Sequence, residues 1–197
     1  MMTVSRRVLA GLFVFSAVAM AQTRLVEGKA DSPVRVIIYE DLQCPDCADF
    51  RAMLDQKLLP KYGARVAFEH RDFPLPKHKW ARQAAIAGRF FQQQGPALAI
   101  QWRQETMREQ AKITAESFPA HFAGFAKRNG IDTAKAEAAL NDPALVALVQ
   151  RDYDDGVARG IAHTPTALVN GAPFIETFTY EEISAGIEAA MKESRVQ

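Results

Sequence analysis

The chain has 197 residues, and its 24 Lys and Arg nearly balance its 23 Asp and Glu, for a formal net charge of +1. This balance gives no reason to expect nucleic acid or an anionic surface as a partner. Hydrophobic residues make up 48% of the chain, enough to bury one sizeable core. The sequence shows no internal repeat, low-complexity tract or long linker, so we expect one domain.

The first residues are typical of an export signal. Arg6 and Arg7 precede an almost wholly apolar stretch that ends in a small-x-small cleavage site at Ala21. The stretch is shorter than the roughly 20 residues of an ordinary membrane-spanning helix. We therefore predict a signal peptide over residues 1–21 and a domain over residues 22–197, with an uncleaved anchor as the alternative. Either one puts the protein in the periplasm or another extracytoplasmic compartment, where disulfides persist.

Both cysteines of the chain lie in one motif, Cys44-Pro45-Asp46-Cys47, shortly after the β-rich run Val34–Tyr39. Pro45 suits the first turn of a helix, so the motif is predicted at a strand-to-helix junction. The partial positive charge of a helix start favours the thiolate, which is the nucleophile in disulfide exchange. The helical spacing of the apolar residues that follow would bury Cys47 and leave Cys44 at an exposed tip.

Three alternatives to a redox role of the cysteine pair stay open. A structural disulfide that closes so short a loop would remove little chain entropy and would stabilise the fold poorly. A metal site would need more ligands, and the sequence has no second cysteine pair and no histidine pair at finger-like spacing. The histidines are His70, His78, His121 and His163. The pair could also be inert, although its spacing and its place after a strand agree with redox chemistry.

The segments around the motif also have predictable structure. Residues 22–32 are polar and are expected to form a loosely packed lead-in. Pro60 and Gly63 are predicted to end the first helix, and residues 64–71 alternate like a second strand. Apolar spacing then predicts further helices, in segments near 80–95, 97–109, 118–127 and 133–140.

The last third of the chain predicts a helix, a hairpin and a final helix. An Asp-Pro pair at 142–143 provides a cap and a first helical turn, and Gly160 would end that helix. Asn170-Gly171 between two short β-rich runs is a strong hairpin signal. The final helix is expected from about Tyr180. Without the middle helices, the predicted order is a β-α-β, α, β-β-α unit of the α/β class, in which a crossover helix joins two parallel strands.

The chain resembles DsbA-like thiol–disulfide oxidoreductases of the thioredoxin superfamily over nearly all of residues 22–197. The resemblance rests on three segments, namely Tyr39–Cys47, Arg71–His78 and Gly160–Thr166. A Cys-x-x-Cys motif after a strand, with a Thr-Pro about 120 residues later and before a hairpin, is a specific combination. The resemblance implies a thioredoxin fold in a single domain, with a helical insertion over about 77–141.

The resemblance also implies roles for individual residues. Cys44 would be the attacking cysteine and Cys47 the resolving one. Pro165 would be a cis-proline that faces the cysteines, and Thr164 would offer backbone hydrogen bonds to an extended substrate. No cofactor and no metal is implied.

The chain departs from this family at two points. Many members carry a buried acid six residues before the first cysteine, where this chain has Ile38. Glu40 and Asp41 lie nearer to the motif, and both a solvated and a catalytic role stay open for them. The most oxidising members have a histidine at the position of Asp46.

Pro45, Asp46 and His163 are the residues predicted to tune the thiol. A carboxylate at position 46 opposes the Cys44 thiolate by about 1 kcal/mol, comparable to the opposite contribution of the helix start. We therefore expect a Cys44 pKa nearer the thioredoxin end of the known range than the DsbA end. A protonated His163 could offset Asp46, unless it is an ordinary loop histidine open to water.

The first hypothesis for function is an exported enzyme that exchanges disulfides with the cysteines of other exported proteins. A membrane redox partner would recycle it, and the sequence does not determine whether it acts as oxidant or reductase. We expect a monomer, because the short lead-in leaves no room for an extra dimerisation domain. The alternatives are a thioredoxin-fold protein that binds peptides and keeps a passive disulfide, and a thiol pair that holds a metal.

Overall fold

The computed structural model describes residues 24–195, so the predicted signal peptide lies outside the described residues. Its strands are β1 (Leu25–Gly28), β2 (Arg35–Glu40), β3 (Ala67–Asp72), β4 (Thr166–Val169) and β5 (Ala172–Ile175). Within residues 24–195 they form one five-stranded sheet in the order β1-β3-β2-β4-β5. β2 and β3 run parallel, and the other neighbouring strands are antiparallel.

Helices follow the predicted order along the chain. They are α1 (Pro45–Met53), α2 (Leu59–Tyr62), α3 (Ala81–Gln94), α4 (Pro96–Glu109), α5 (Phe118–Arg128), α6 (Thr133–Ala139), α7 (Pro143–Ala158) and α8 (Tyr180–Glu193). Helix α1 connects β2 to the parallel strand β3, and α3 to α6 lie between β3 and α7. The predicted thioredoxin fold, with its extra helices after the second parallel strand, is confirmed. None of the helices between residues 24 and 195 has both the length and the apolar character that crossing a bilayer requires.

The two faces of the sheet pack against different helices. On one face, Val36 and Ile38 join a buried cluster with Phe50 of α1 and Ile187 of α8. On the other face, Tyr39 joins a smaller cluster with residues of the loop after β3 and of α7. This alternation follows from the two-residue period of a strand.

The inserted helices build a third cluster, and it contains both cysteines. Trp80 and Trp102 are fully buried there, together with several phenylalanines of α3 and α5. Cys44 and Cys47 belong to the same cluster. The insertion therefore packs directly against the start of α1 and helps to position the cysteine motif.

One prediction about local structure was wrong, and another was only partly confirmed. Residues 22–32 were expected to pack loosely, but β1 pairs with β3 and buries Leu25. Pro60 and Gly63 were expected to end the first helix. Gly63 does so as the C-cap of α2, but Pro60 does not, because a π-helical turn, Leu54–Leu58, precedes it and it lies in the first turn of α2. In this wide turn the N–H of Leu59 donates to the carbonyl of Leu54. Pro60, which has no N–H, is tolerated because it lies in the first turn of α2.

Candidate active site

The cysteine motif forms the first turn of α1, as predicted. Cys44 is the N-cap residue with extended backbone angles, and Pro45 occupies the first turn. The N–H of Cys47 donates to the carbonyl of Cys44 at 3.1 Å. Cys47 is buried, as expected, but Cys44 is only 5% exposed rather than at an exposed tip. The prediction of an exposed Cys44 was wrong because loops distant in sequence enclose the sulfur.

Those loops form an open pocket of about 390 Å³ beside Cys44. One wall comes from the segment after β3 and the other from the segment before β4. The lining residues are Cys44, Asp46, Leu75, Pro76, Lys77, Ala162, His163, Thr164 and Glu176. The structure thus brings the predicted residues Asp46, His163 and Thr164 to the same pocket as Cys44.

The two cysteines are thiols that lie 3.9 Å apart. The Cys44 thiol donates to the carbonyl oxygen of Thr164 at 3.2 Å, and the backbone N–H of Asp41 donates to the Cys47 sulfur at 3.4 Å. Hydrogen bonding from Cys47 and from nearby backbone N–H groups lowers the pKa of Cys44 to about 6, although burial opposes this shift. Burial, the adjacent Cys44 and, to a smaller extent, Glu40 raise the pKa of Cys47 well above its ordinary value.

This asymmetry separates the two sulfurs chemically. A thiol with a pKa near 6 is mostly ionised at neutral pH, whereas a thiol with a raised pKa stays protonated. The expected Cys44 pKa, nearer the thioredoxin end of the range, agrees with this value. The arrangement can therefore present one thiolate to a partner in the pocket and keep a second thiol in reserve for attack on a mixed disulfide.

The loop opposite the cysteines is anchored on both sides. The peptide bond between Thr164 and Pro165 is cis, as the resemblance implied. The hydroxyl of Thr166 donates to the carbonyl of His163 at 2.7 Å. The backbone N–H of Glu176 donates to the carbonyl of Pro165 at 2.8 Å. These bonds hold the Thr164 carbonyl in position to contact the Cys44 sulfur.

His163 is exposed at the rim of the pocket. Its Nδ1 lies 2.9 Å from a carboxylate oxygen of Glu176, and its side chain is 59% exposed. The predicted proximity to the pocket is confirmed, but the imidazole is paired with Glu176. Its influence on the Cys44 pKa stays a prediction.

Asp41 is buried rather than solvated at the end of β2. Its carboxylate accepts hydrogen bonds from the N–H of Gln43 at 2.7 Å and from the N–H of Leu75 at 2.8 Å. His78 Nδ1 lies 2.7 Å from the same carboxylate. The carboxylate of Asp41 therefore connects the pocket wall after β3 to Gln43, the residue before Cys44, through hydrogen bonds. The sequence analysis did not identify this contact of His78.

Glu40 belongs to a buried charge network of Glu27, Glu40, His70, Asp72 and Arg103 that sequence reasoning missed. His70 lies between the two glutamates, with Nδ1 2.7 Å from Glu40 and Nε2 2.9 Å from Glu27. Arg103 of α4 pairs with Glu40 and Asp72. Burial disfavours the imidazolium, but the two carboxylates raise the pKa of His70 overall. A run of four consecutive polar residues in strand β3, residues 69–72, was the signal that could have indicated this network.

Metal-ligating side chains also meet away from the cysteines. Glu105 and Glu109 of α4 and His121 of α5 offer ligand atoms within 4.8 Å of one another. However, Glu105 is already ion-paired with Arg128. This arrangement neutralises part of the negative charge that a cation would need.

The chain is similar in sequence to several known proteins. A family model described as thioredoxin matches residues 20–189. The chain is 27% identical over 172 residues to a Na(+)/H(+) antiporter NhaA of Herminiimonas arsenicoxydans, an alignment that covers 87% of this chain and 26% of that protein. It is 25% identical over 173 residues to the Disulfide bond formation protein D of Bacillus subtilis, covering 85% of this chain and 77% of that protein. The chain thus spans about a quarter of the length of the antiporters that it matches.

The fold is also similar to that of solved structures. Oxidised BdbD from Bacillus subtilis superposes on this chain with a TM-score of 0.77 at 24% sequence identity, covering 86% of this chain and 93% of the other. At this identity the likeness shows a shared fold.

Proposed function

Because this chain belongs to the thioredoxin family, we propose that it is a thiol–disulfide oxidoreductase of the DsbA type with Cys44 and Cys47 as its redox-active pair. One observation carries this proposal: Cys44, at the start of α1, is 3.9 Å from Cys47 and borders an open pocket. A pKa of about 6 makes Cys44 both a nucleophile and a good leaving group at neutral pH.

In the oxidising direction the reaction has two exchange steps. A substrate thiolate attacks the Cys44 sulfur of the Cys44–Cys47 disulfide, and Cys47 leaves as a thiolate that takes up a proton. A second substrate thiolate then attacks the substrate sulfur of the mixed disulfide and releases the Cys44 thiolate. The substrate loses two electrons and gains a disulfide, and the enzyme gains a dithiol. The reductase reaction is the reverse.

The other predicted residues have supporting roles in this proposal. Thr164, next to the cis peptide bond with Pro165, offers its backbone to an extended substrate segment. Pro45 begins the helix beneath the thiol. The carboxylate of Asp46 opposes the Cys44 thiolate, and His163 would stabilise that thiolate only when its imidazole is protonated.

We also propose that the enzyme works outside the cytoplasm as a monomer, on the thiols and disulfides of other exported proteins. The signal-like residues 1–21 support export, and an oxidising compartment suits a dithiol enzyme. The similarity to Disulfide bond formation protein D supports protein cysteines as substrates. Recycling then needs a membrane redox partner.

The test is to trap the mixed disulfide. Cys47→Ser incubated with oxidised glutathione should form a covalent adduct at Cys44, detected by mass spectrometry of peptide fragments. The matched variant Cys44→Ser should form almost none, because the remaining Cys47 is buried and has a raised pKa. Absence of an adduct at Cys44 across a range of glutathione ratios would refute the proposal. Peptide binding by a wild-type protein that forms no adduct would favour the passive peptide-binding alternative.

The working direction requires a second measurement. The fraction of oxidised protein, determined across a series of reduced-to-oxidised glutathione ratios, gives the reduction potential. A potential near that of DsbA supports an oxidant, and one near that of thioredoxin supports a reductase.

A further inference from the structure

A second depression continues from the Cys44 pocket along α1. We call it the acidic groove, and its volume is about 240 Å³. Its lining residues are Asp46, Asp49, Phe50, Met53, Glu176, Thr177 and Phe178. Three carboxylates thus surround a floor that is partly aromatic, and no Lys, Arg or His lines it among residues 24–195.

The carboxylates of this groove are poorly neutralised. Between residues 24 and 195, neither Asp46 nor Asp49 forms an ion pair or a side-chain hydrogen bond. Glu176 contacts His163, which is exposed. Lys77 lines the Cys44 pocket but not the acidic groove. A cation in the groove would therefore meet two carboxylates without an ion-pair partner, those of Asp46 and Asp49, beside Glu176, which is paired with His163.

Independent observations connect this groove to a bound substrate. Asp46 and Glu176 line both the groove and the Cys44 pocket, so the two are continuous. Thr164, in the wall of that pocket, is only 2% exposed, and its hydroxyl oxygen has no hydrogen-bond partner among residues 24–195. A buried hydroxyl without a partner is uncommon in a folded protein and points to a polar group that arrives with a ligand.

We propose that the acidic groove binds a Lys or Arg side chain beside the reactive cysteine of the substrate protein, so that basic segments are the preferred substrates. The inference rests on the proposed function, because it requires the substrate sulfur to meet Cys44. The aliphatic stem of Lys or Arg would pack on Phe50 and Phe178, and its charged end would meet Asp49 and Glu176. The same charges would speed the approach of a basic segment.

A basic neighbour also acts on the substrate thiol itself. It lowers the pKa of that thiol and raises the fraction present as thiolate, whichever enzyme is used. A preference for basic peptides alone is therefore insufficient evidence. The contribution of the acidic groove to this preference is the portion that disappears when the carboxylates of the groove are neutralised.

The experiment compares three dithiol peptides that differ only in the residue beside each cysteine, which is Lys, Gln or Glu. Oxidised protein is mixed with each peptide, the reaction is quenched with acid, and the second-order rate constant is measured by chromatography. The proteins are the wild type, the double variant Asp49→Asn/Glu176→Gln, and Glu137→Gln as a control that removes an exposed carboxylate from α6.

We expect the wild type to oxidise the Lys peptide about tenfold faster than the Glu peptide at low salt. The ratio should fall to about threefold or less in the double variant, whereas Glu137→Gln should keep the wild-type ratio. Raising the salt to about 0.5 M should also reduce the wild-type ratio, since exposed charges are then screened. Equal ratios for the wild type and a correctly folded double variant would overturn the inference and leave the proposed function intact. If no peptide is oxidised by any of the proteins, the proposed function itself fails.

Discussion

The backbone N–H of Asp41 donates to the sulfur of Cys47 at 3.4 Å, so the residue after β2 contacts the second cysteine directly. The carboxylate of Asp41 is held in turn by the N–H of Leu75 and by His78. One buried side chain thus connects the cysteine motif to a wall of the pocket. This connection predicts that Asp41 contributes to stability as well as to the geometry of the site.

Replacement of Asp41 by Ala should lower the free energy of unfolding by about 2–4 kcal/mol, because partly buried N–H groups lose their acceptor. Asp41→Asn should lower the free energy of unfolding by a smaller amount, since its amide oxygen still accepts a hydrogen bond. Urea unfolding of the reduced proteins measures both values. Equal losses for the two variants would contradict the role assigned to the carboxylate oxygens.

The Cys44 thiol should titrate with a pKa of about 6 in the reduced protein. The rate of alkylation by iodoacetamide should therefore fall as the pH is lowered through 6. Cys47→Ala should raise this pKa, because the hydrogen bond from Cys47 is the largest of the stabilising contributions. As a control, Cys44→Ser should leave Cys47 nearly unreactive at neutral pH. An unshifted profile in Cys47→Ala would be evidence against this hydrogen bond.

Neutralising Asp46 should make the protein a stronger oxidant. Removing a charge that opposes the Cys44 thiolate by about 1 kcal/mol corresponds to ~20–30 mV in potential. Asp46→Asn should show this shift, and Asp46→His should show a larger one when the imidazole is protonated. Glutathione equilibration measures each potential. A potential that is unchanged or lower in both variants would refute the electrostatic argument.

Stability should depend on pH through His70 and Glu27. The pKa of His70 is raised in the folded protein. Its contribution to the free energy of unfolding is therefore complete below about pH 6.5 and is lost as the pH rises through the folded pKa. The pKa of Glu27 is lowered to about 2, with burial opposing and His70 and Arg51 favouring the shift. The contribution of Glu27 to the free energy of unfolding, roughly 3 kcal/mol, is present above about pH 4.5 and is lost as the pH falls toward 2.

Urea unfolding from pH 3 to pH 9 tests both contributions. The wild type should be most stable between the two windows. His70→Gln should flatten the loss on the alkaline side, since the titrating group is gone. An alkaline slope that is the same in the wild type and His70→Gln would show that another group is responsible.

Gly156 in α7 should not tolerate a side chain. A Cβ there would lie 2.6 Å from the ring of Phe73 and 3.1 Å from the ring of Tyr39. Gly156→Ala should therefore lower the free energy of unfolding by about 1–3 kcal/mol. The matched variant is Gly124→Ala in α5, where a Cβ would meet only the flexible end of Arg128. That variant should be neutral or stabilising by up to about 1 kcal/mol, measured by urea unfolding.

Much of the fold was predictable because its signals are local. The β-rich run of β2, the apolar spacing of α3 and α8, and the Asn170-Gly171 hairpin all depend on neighbours within a few residues. The cysteine motif at the start of α1 is local too. Strand β1 escaped prediction because it is four residues long and owes its burial to pairing with β3.

The amino-acid sequence by itself determined the order of the elements after β1, the pair Cys44 and Cys47, and the carboxylate between them, since each follows from residues close together in the chain. Only the tertiary structure decided the burial of Cys44, the bond between Asp41 and His78, and the pairing of His70 with two glutamates. These contacts join segments that are tens of residues apart in the chain. Their energies depend on distance and on exclusion of water, which exist only once the sheet and the inserted helices have packed together.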